Sequence, residues 1–255
     1  MDIELVAESL RNLYRGEGID FESEVYAGDG ERRSLYRVLM LFLLSMGTQD
    51  GPLASVCASL FERFPQPKDI ADLKNAGAVF ELIRPLGQQT RKLAYMRSAA
   101  AYCMRFVPAK VVDSVDGLWQ IKGVGGKVFE CAVAYGCGRP GLPVDSNVMR
   151  VLQRATTGTD EAISPDYART RKRLKSIFAP KDWIDTHEVF RLHGMIACGM
   201  VSPRCELCPV ESCGSRALPF DEQTGADRAR SEARRVLIEE WRPWRELICV
   251  PRQED

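Results

Sequence analysis

Ile121-Lys122-Gly123-Val124-Gly125-Gly126-Lys127 follows Leu118-Trp119-Gln120 and runs into Val128, Phe129, Ala132 and Val133, which repeat at helical spacing. The stretch reads as helix, glycine hairpin, helix. Glycines at 123, 125 and 126 allow backbone conformations closed to other residues, and they leave N–H groups bare at a helix N-terminus, a ready place for an anion such as a phosphate. An ordinary turn between two helices has the same pattern, so the surroundings must decide.

Outward from the hairpin, helical periodicity continues in both directions. Leu53, Val56, Cys57, Leu60, Phe61 and Phe64 fall at i, i+3, i+4, i+7, i+8 and i+11. Leu35, Val38, Leu39 and Phe42 form another stripe, as do Val148, Val151 and Leu152, then Leu174, Ile177 and Phe178. With no sustained period-2 alternation, the reading is all-α. Gly28-Asp29-Gly30 and Gly138-Arg139-Pro140-Gly141-Leu142-Pro143 are loop signals bracketing a helical block. The expected organisation is one domain over residues 35–142, a second built from residues 1–34 and 143–220, and an Arg/Glu-rich helical extension over residues 221–255.

The chain has 255 residues, 45% hydrophobic and 27% charged, which excludes disordered, collagen-like and coiled-coil classes. Its longest apolar run, Val38 to Leu44, falls far short of the roughly 20 residues of a bilayer span, and Met1-Asp2-Ile3-Glu4 is no signal-peptide start. A cytoplasmic protein, reducing in its surroundings and without a membrane partner, is expected. Lys plus Arg (35) balances Asp plus Glu (35), so a polyanion would have to be bound by local patches. Arg169, Arg171, Lys172, Arg173 and Lys175, after the helix-start signal Ser164-Pro165, make one such patch, although a charge run is equally a solvated helix face. Arg91, Lys92 and Arg97 are expected to extend a basic surface.

Of nine cysteines, five are scattered through apolar stretches as small core residues, and four crowd together as Cys198-x6-Cys205-x2-Cys208-x4-Cys213. Zinc ribbons present two close ligand pairs, whereas here one central pair is flanked by an outer cysteine on each side. That spacing suits an iron–sulfur cubane, with a zinc site as the alternative. His187 and His193 have no partners at metal-ligand spacing and are expected to be buried and hydrogen-bonded.

The segment 121–127, Val144-Asp145 with its aspartate eighteen residues after Lys127, and Leu192-His193-Gly194 ahead of the cysteine loop together resemble the endonuclease III family of helix-hairpin-helix DNA glycosylases. The resemblance runs from about Leu35 to Cys213, and the gap between Cys208 and Cys213 is one residue shorter than the family usually has. It implies a six-helix helix-hairpin-helix domain and a second helical domain, formed by both chain ends, around a [4Fe-4S] cluster on Cys198, Cys205, Cys208 and Cys213. It implies Lys127 as nucleophile and Asp145 as its acidic partner. The hairpin glycines Gly123, Gly125 and Gly126, and Arg171 and Lys172 of the basic run, are the residues expected at DNA phosphates on their own chemistry. Bare chemistry agrees, because a lysine amine attacks a sugar carbon only when unprotonated and the positive end of a helix disfavours the ammonium form. Without catalysis, Lys127 would be a phosphate-contacting cation and Asp145 an N-cap.

Two positions depart from the family. Gly47, within Leu44-Ser45-Met46-Gly47-Thr48-Gln49-Asp50, stands where relatives usually carry a gap-filling glutamine, and Gln88, within Leu86-Gly87-Gln88-Gln89, stands where a bulky apolar wedge is common. Gln88 or Gln49 is expected to take over the filling role, unless these are plain solvated amides. The function so implied is a bifunctional DNA glycosylase and abasic-site lyase of base excision repair, monomeric and nucleoid-associated. It would act on double-stranded DNA with damaged bases, oxidised pyrimidines first, or abasic sites. The rivals are a monofunctional mismatch glycosylase, whose catalytic acid would lie near Phe42, and a non-catalytic DNA-binding or redox-sensing paralogue.

Overall fold

Each of the five apolar stripes forms a helix in the computed structural model, which describes residues 2–15, 31–48, 52–106, 115–157 and 166–251. The helices are α1 (Ile3–Arg15), α2 (Leu35–Ser45), α3 (Leu53–Arg63), α4 (Pro67–Ala71), α5 (Ala76–Leu82), α6 (Gln89–Phe106), α7 (Gly126–Cys131), α8 (Ser146–Thr157), α9 (Tyr167–Ile177), α10 (Trp183–Ile196), α11 (Gly225–Val236) and α12 (Arg242–Ile248). Two strands of three residues, β1 (Glu31–Arg33) and β2 (Cys249–Pro251), pair antiparallel with Arg32 opposite Val250. The fold class is all-α. Among the described residues no helix is long and apolar enough to cross a membrane.

The chain divides into two compact units, one of Met1–Val25 with Pro140–Arg242, the other of Tyr26–Arg139 with Pro243–Asp255. In the first, α1, α8, α9, α10 and α11 enclose a core that includes Val6, Leu10, Tyr14, Val148, Leu152, Leu174, Phe190, Leu192, Ala229 and Ala233. Gly194 lets α8 and α10 approach closely, since a Cβ there would stand 2.7 Å from Cβ of Asn147. In the second unit α2 is apolar nearly all round, with Leu35, Tyr36, Val38, Leu39, Met40, Leu41, Leu43 and Leu44 buried, as suits a central helix. Ser34 caps it by accepting from the Arg37 N–H. Gly136, in the π-helical turn that continues α7, packs against Leu35 of α2.

The C-terminal segment is not the separate extension expected from its composition. Residues up to Arg242 belong to the first unit, where Ala229, Ala233 and Val236 enter the core. Those from Pro243 belong to the second, where β2 pairs with β1 and Arg37 donates to the carbonyls of Leu247 (3.1 Å) and Cys249 (3.4 Å). Small alanines at helical spacing were the unread signal.

Candidate DNA glycosylase site

In the second unit, the hairpin is built against α6. Val115–Gln120 forms a 3-10 helix, Ile121 and Val124 turn the chain with N–H donations to Leu118 (3.2 Å) and Ile121 (3.0 Å), and α7 follows with Gly125 as its N-cap. Leu118, Ile121, Val124 and Val128 are buried, and Trp119 stacks on Phe129 at 4.3 Å across the turn. Gly123 has φ +91 and lies over the ring of Tyr95, so that a Cβ would sit 2.4 Å from ring carbons. Here glycine is required twice, by backbone and by space. Gly125, by contrast, opens onto free space. Ser98 accepts from the Lys122 N–H (2.9 Å), and a Cβ on Gly117 would stand 2.8 Å from the Tyr102 hydroxyl oxygen. Tyr95, Ser98 and Tyr102 of one helix thus hold the whole segment, and Lys127, half-buried, falls in the first turn of α7.

Gln88 immediately precedes the same helix. Gln88 is exposed, has φ +55, accepts from the Lys92 N–H (3.0 Å) and receives a hydrogen bond from the Arg91 guanidinium. Lys92 is not part of a basic surface: it is 1% exposed, and its ammonium donates to the Leu86 carbonyl (2.8 Å) and the Thr48 hydroxyl. Burial and the neighbouring Arg91 charge lower its pKa. Arg97 is likewise turned to the protein, donating to the Ala71 carbonyl at 3.2 Å. Gln49 lies outside the described residues.

In the first unit, Asp145 is 6% exposed and caps α8: its Oδ1 accepts from the N–H groups of Asn147 (2.9 Å) and Val148 (3.0 Å). Its Oδ2 lies 3.8 Å from Arg191 of α10. Further along α8, Asn147, Arg150 and Arg154 recur on one face at i, i+3 and i+7. Arg150 donates to the carbonyls of Cys198 (2.7 Å) and Gly194 (2.8 Å), and Arg154 to those of Gly199 (2.6 Å) and Met200 (3.0 Å). These two arginines, missed in the sequence, fix the turn that begins the cysteine loop. Their polar spacing beside the Val148, Val151 and Leu152 stripe was the available signal.

All four loop cysteines are free and partly buried. Arg154 approaches the Cys198 sulfur (3.5 Å), and the Cys213 thiol donates to the Arg154 carbonyl (3.5 Å). Burial pushes Cys208 up to about 12, with Cys213 and Cys198 adding to the shift, and burial also raises Cys198. Thiols so placed take negative charge only with a compensating cation, which is the chemistry of a metal-binding donor set. Their present positions do not converge on one metal ion; among the described residues no three His, Cys, Asp or Glu side chains do. Tyr14 and His193, both buried, share a hydrogen bond of 2.9 Å between hydroxyl and Nδ1, and burial lowers His193 to about 3. His187 is buried as well.

The basic run lies on α9 of this unit. Asp166, not Ser164, provides the cap, accepting from the Arg169 N–H at 2.8 Å; Ser164 and Pro165 lie outside the described residues. Leu174 is buried, while Arg169, Lys172 and Arg173 are exposed and Arg171 half-buried. Lys175 packs over the Trp183 ring at 4.5 Å.

Residues 41–180 match the model of the HhH-GPD superfamily base excision DNA repair protein. The chain is 28% identical over 186 residues to Endonuclease III homolog 1, chloroplastic, of Arabidopsis thaliana, covering 71% of this chain and 48% of that protein. It spans about half the length of that curated relative. It is 26% identical over 173 residues to Endonuclease III of Thermotoga maritima, covering 68% and 79%. Proteins named thymine/uracil-DNA glycosylase and adenine DNA glycosylase also match. The fold superposes with TM-score 0.70 and 22% identity, over 84% of this chain and 94% of the other, on a trapped endonuclease III–DNA covalent intermediate. The match over residues 41–180 places this chain in the HhH-GPD superfamily of base excision DNA repair proteins.

Proposed function

We propose that this chain is a bifunctional DNA glycosylase and abasic-site lyase of base excision repair. It acts as a nucleoid-associated cytoplasmic monomer on duplex DNA bearing damaged bases, oxidised pyrimidines first, or abasic sites. The observation that carries the reading is a lysine, Lys127, in the first turn after a hairpin whose Gly123 is held by both backbone and packing. The hairpin's exposed Gly125 leaves room for a DNA phosphate, and the ammonium-bearing stem next to it brings an amine to the sugar. The neutral amine attacks C1′ of the extruded nucleotide and the base leaves with the glycosidic electron pair; the nitrogen then loses a proton, and the C1′–O4′ bond breaks as O4′ is protonated, which opens the sugar ring and gives a protonated Schiff base. Removal of a C2′ proton then expels the 3′ phosphate by β-elimination. Asp145, its Oδ1 fixed as a helix cap, supplies a carboxylate to stabilise positive charge on the sugar or to accept the amine proton.

Family membership suggests an iron–sulfur cluster. Cys198, Cys205, Cys208 and Cys213 would hold it as [4Fe-4S]. Bound there, the cluster would supply structure to the loop. Arg169, Arg171, Lys172 and Arg173 add phosphate contacts.

The monofunctional reading draws support from the adenine and thymine/uracil glycosylases among the relatives. Against it stands Phe42, stacked on Tyr135 at 5.7 Å where the resemblance would place a catalytic acid. A screen of duplexes carrying oxidised pyrimidines, uracil, mismatches and abasic sites, with iron measured in the same preparation, tests the proposal. Base release with strand nicking supports it, release without nicking supports the monofunctional enzyme, and binding without either leaves the non-catalytic paralogue.

A further inference from the structure

Among the described residues of the second unit Lys92 is the one buried lysine, and the chemistry proposed for Lys127 does not use it. Its ammonium meets two separate turns. One is the Ser45–Thr48 turn after α2, where the Thr48 hydroxyl that accepts from Lys92 itself donates to the Leu44 carbonyl at 2.7 Å. The other is the Arg84–Leu86 turn before α6, whose Leu86 carbonyl accepts at 2.8 Å. Exposed residues with positive φ mark both turns, Gly47 at +62 within the first and Gly87 at +67 and Gln88 at +55 directly after the second. Gln88 is the one non-glycine residue with positive φ among the described residues, a conformation that persists only where its surroundings hold it. The surroundings do: the Lys92 N–H holds its carbonyl and Arg91 holds its side-chain oxygen. The remaining amide nitrogen is directed at Gly47, where a Cβ would lie 2.8 Å from it. A side chain at 47 and the present place of Gln88 exclude each other.

We propose that Lys92 is a positioning residue that joins these two turns into one recognition element, with Gln88 as the specificity-determining side chain seated over Gly47. Its ligand is a base edge in duplex DNA that offers a hydrogen-bond acceptor to the Gln88 amide. The element shares α6 with the hairpin: Lys92 and Ser98 are six residues apart, about 9 Å along the helix axis. One rigid helix therefore sets the spacing between backbone contact and base contact. A buried cation held by two neutral oxygens is a costly way to join turns that an apolar side chain could merely pack between. Its return is directional: it fixes the height and register of both turns at once.

This inference rests on the reading of this unit as DNA-binding, and the test separates the two. Excision from duplexes carrying one processed lesion opposite each of the four bases is compared for the full chain and for Lys92→Met, Thr48→Val and Gly47→Ala, with the Gln88 side-chain amide followed by NMR without DNA. Each variant should shrink the ratio between best and worst opposite base at least fivefold. Each should also collapse the Gln88 amide signals toward those of a solvated glutamine. Gly47→Ala with Gln88→Ala should be no worse than Gly47→Ala alone, because the first change already evicts the amide. Thr48→Val and Gly47→Ala serve if Lys92→Met fails to fold. An equal loss on every duplex, or an unaltered ratio with an unaltered amide signal, overturns the proposal. A wild-type chain that neither excises nor traps overturns the functional reading and the specificity role with it, while the amide signal still decides whether Lys92 positions Gln88.

Discussion

Lys127 and Asp145 each stand at the start of a helix, and the two helices hold them in different ways. Asp145 is buried, with one carboxylate oxygen engaged by two backbone N–H groups and the other near Arg191. Lys127 is half-buried on a short helix whose position is set from below, through Gly123 on Tyr95 and Lys122 on Ser98. In the aspartate region the candidate catalytic group is itself part of the scaffold. In the hairpin region the scaffold lies in the glycines and in α6, and the candidate group is an addition to it. Substitutions at 145 should therefore mix stability with function, whereas substitutions at 127 should separate them.

Breaking the hairpin scaffold should have the largest effect. Gly123→Ala forces a Cβ into the Tyr95 ring at a positive φ and is expected to cost about 2 to 3 kcal/mol, read by denaturant unfolding. Gly125→Ala, opening onto free space, should leave stability within about 0.5 kcal/mol and weaken DNA binding instead. Equal destabilisation by the two would contradict the division of roles between them.

On the side of the first unit, His193 is held neutral by burial, with a folded pKa of about 3 against about 6.5 when unfolded. Because the unfolded chain takes the proton first, this contribution is complete above pH 6.5 and is lost as pH falls toward 3. At pH 5 the loss should be about 2 kcal/mol relative to neutral pH. His193→Gln, which can still bond Tyr14, should flatten that limb of the stability profile. A limb of the same steepness would place the titrating group elsewhere.

Asp145→Ala should lose the α8 cap and about 1 kcal/mol, while Asp145→Asn, itself a good N-cap, should keep most of the stability and still slow base excision. A similar fall in stability for both would make the charge, and not the cap, the structural element. The smallest effect is expected on α9. Arg171→Gln or Lys172→Gln should lower affinity for all duplexes alike and reduce the salt dependence of binding by roughly one counterion each.

Much of this was legible in the sequence, and the exceptions share a cause. The apolar stripes, the glycine hairpin and the cysteine spacing are local patterns, and period and turn chemistry determine them. Lysine is seldom buried, so by residue type Lys92 reads as surface. Its position at i, i+4, i+7, i+8 and i+11 with Met96, Ala99, Ala100 and Cys103, all buried, marked it as facing inward. The division of the C-terminal segment between two units depends on long-range pairing of β1 with β2, which no local pattern encodes. The reason for Gly194 is equally non-local, a close approach of α10 to Asn147 on α8.

The central claim is that Lys127 is the nucleophile, and borohydride trapping on a duplex with a single abasic site tests it most directly. Wild type should form a covalent protein–DNA complex. Lys127→Gln should form none while binding the same duplex within about twofold and unfolding at the same denaturant midpoint, since one charge among many phosphate contacts adds little affinity. A trapped complex from Lys127→Gln at the wild-type rate would mean that another amine attacks the sugar.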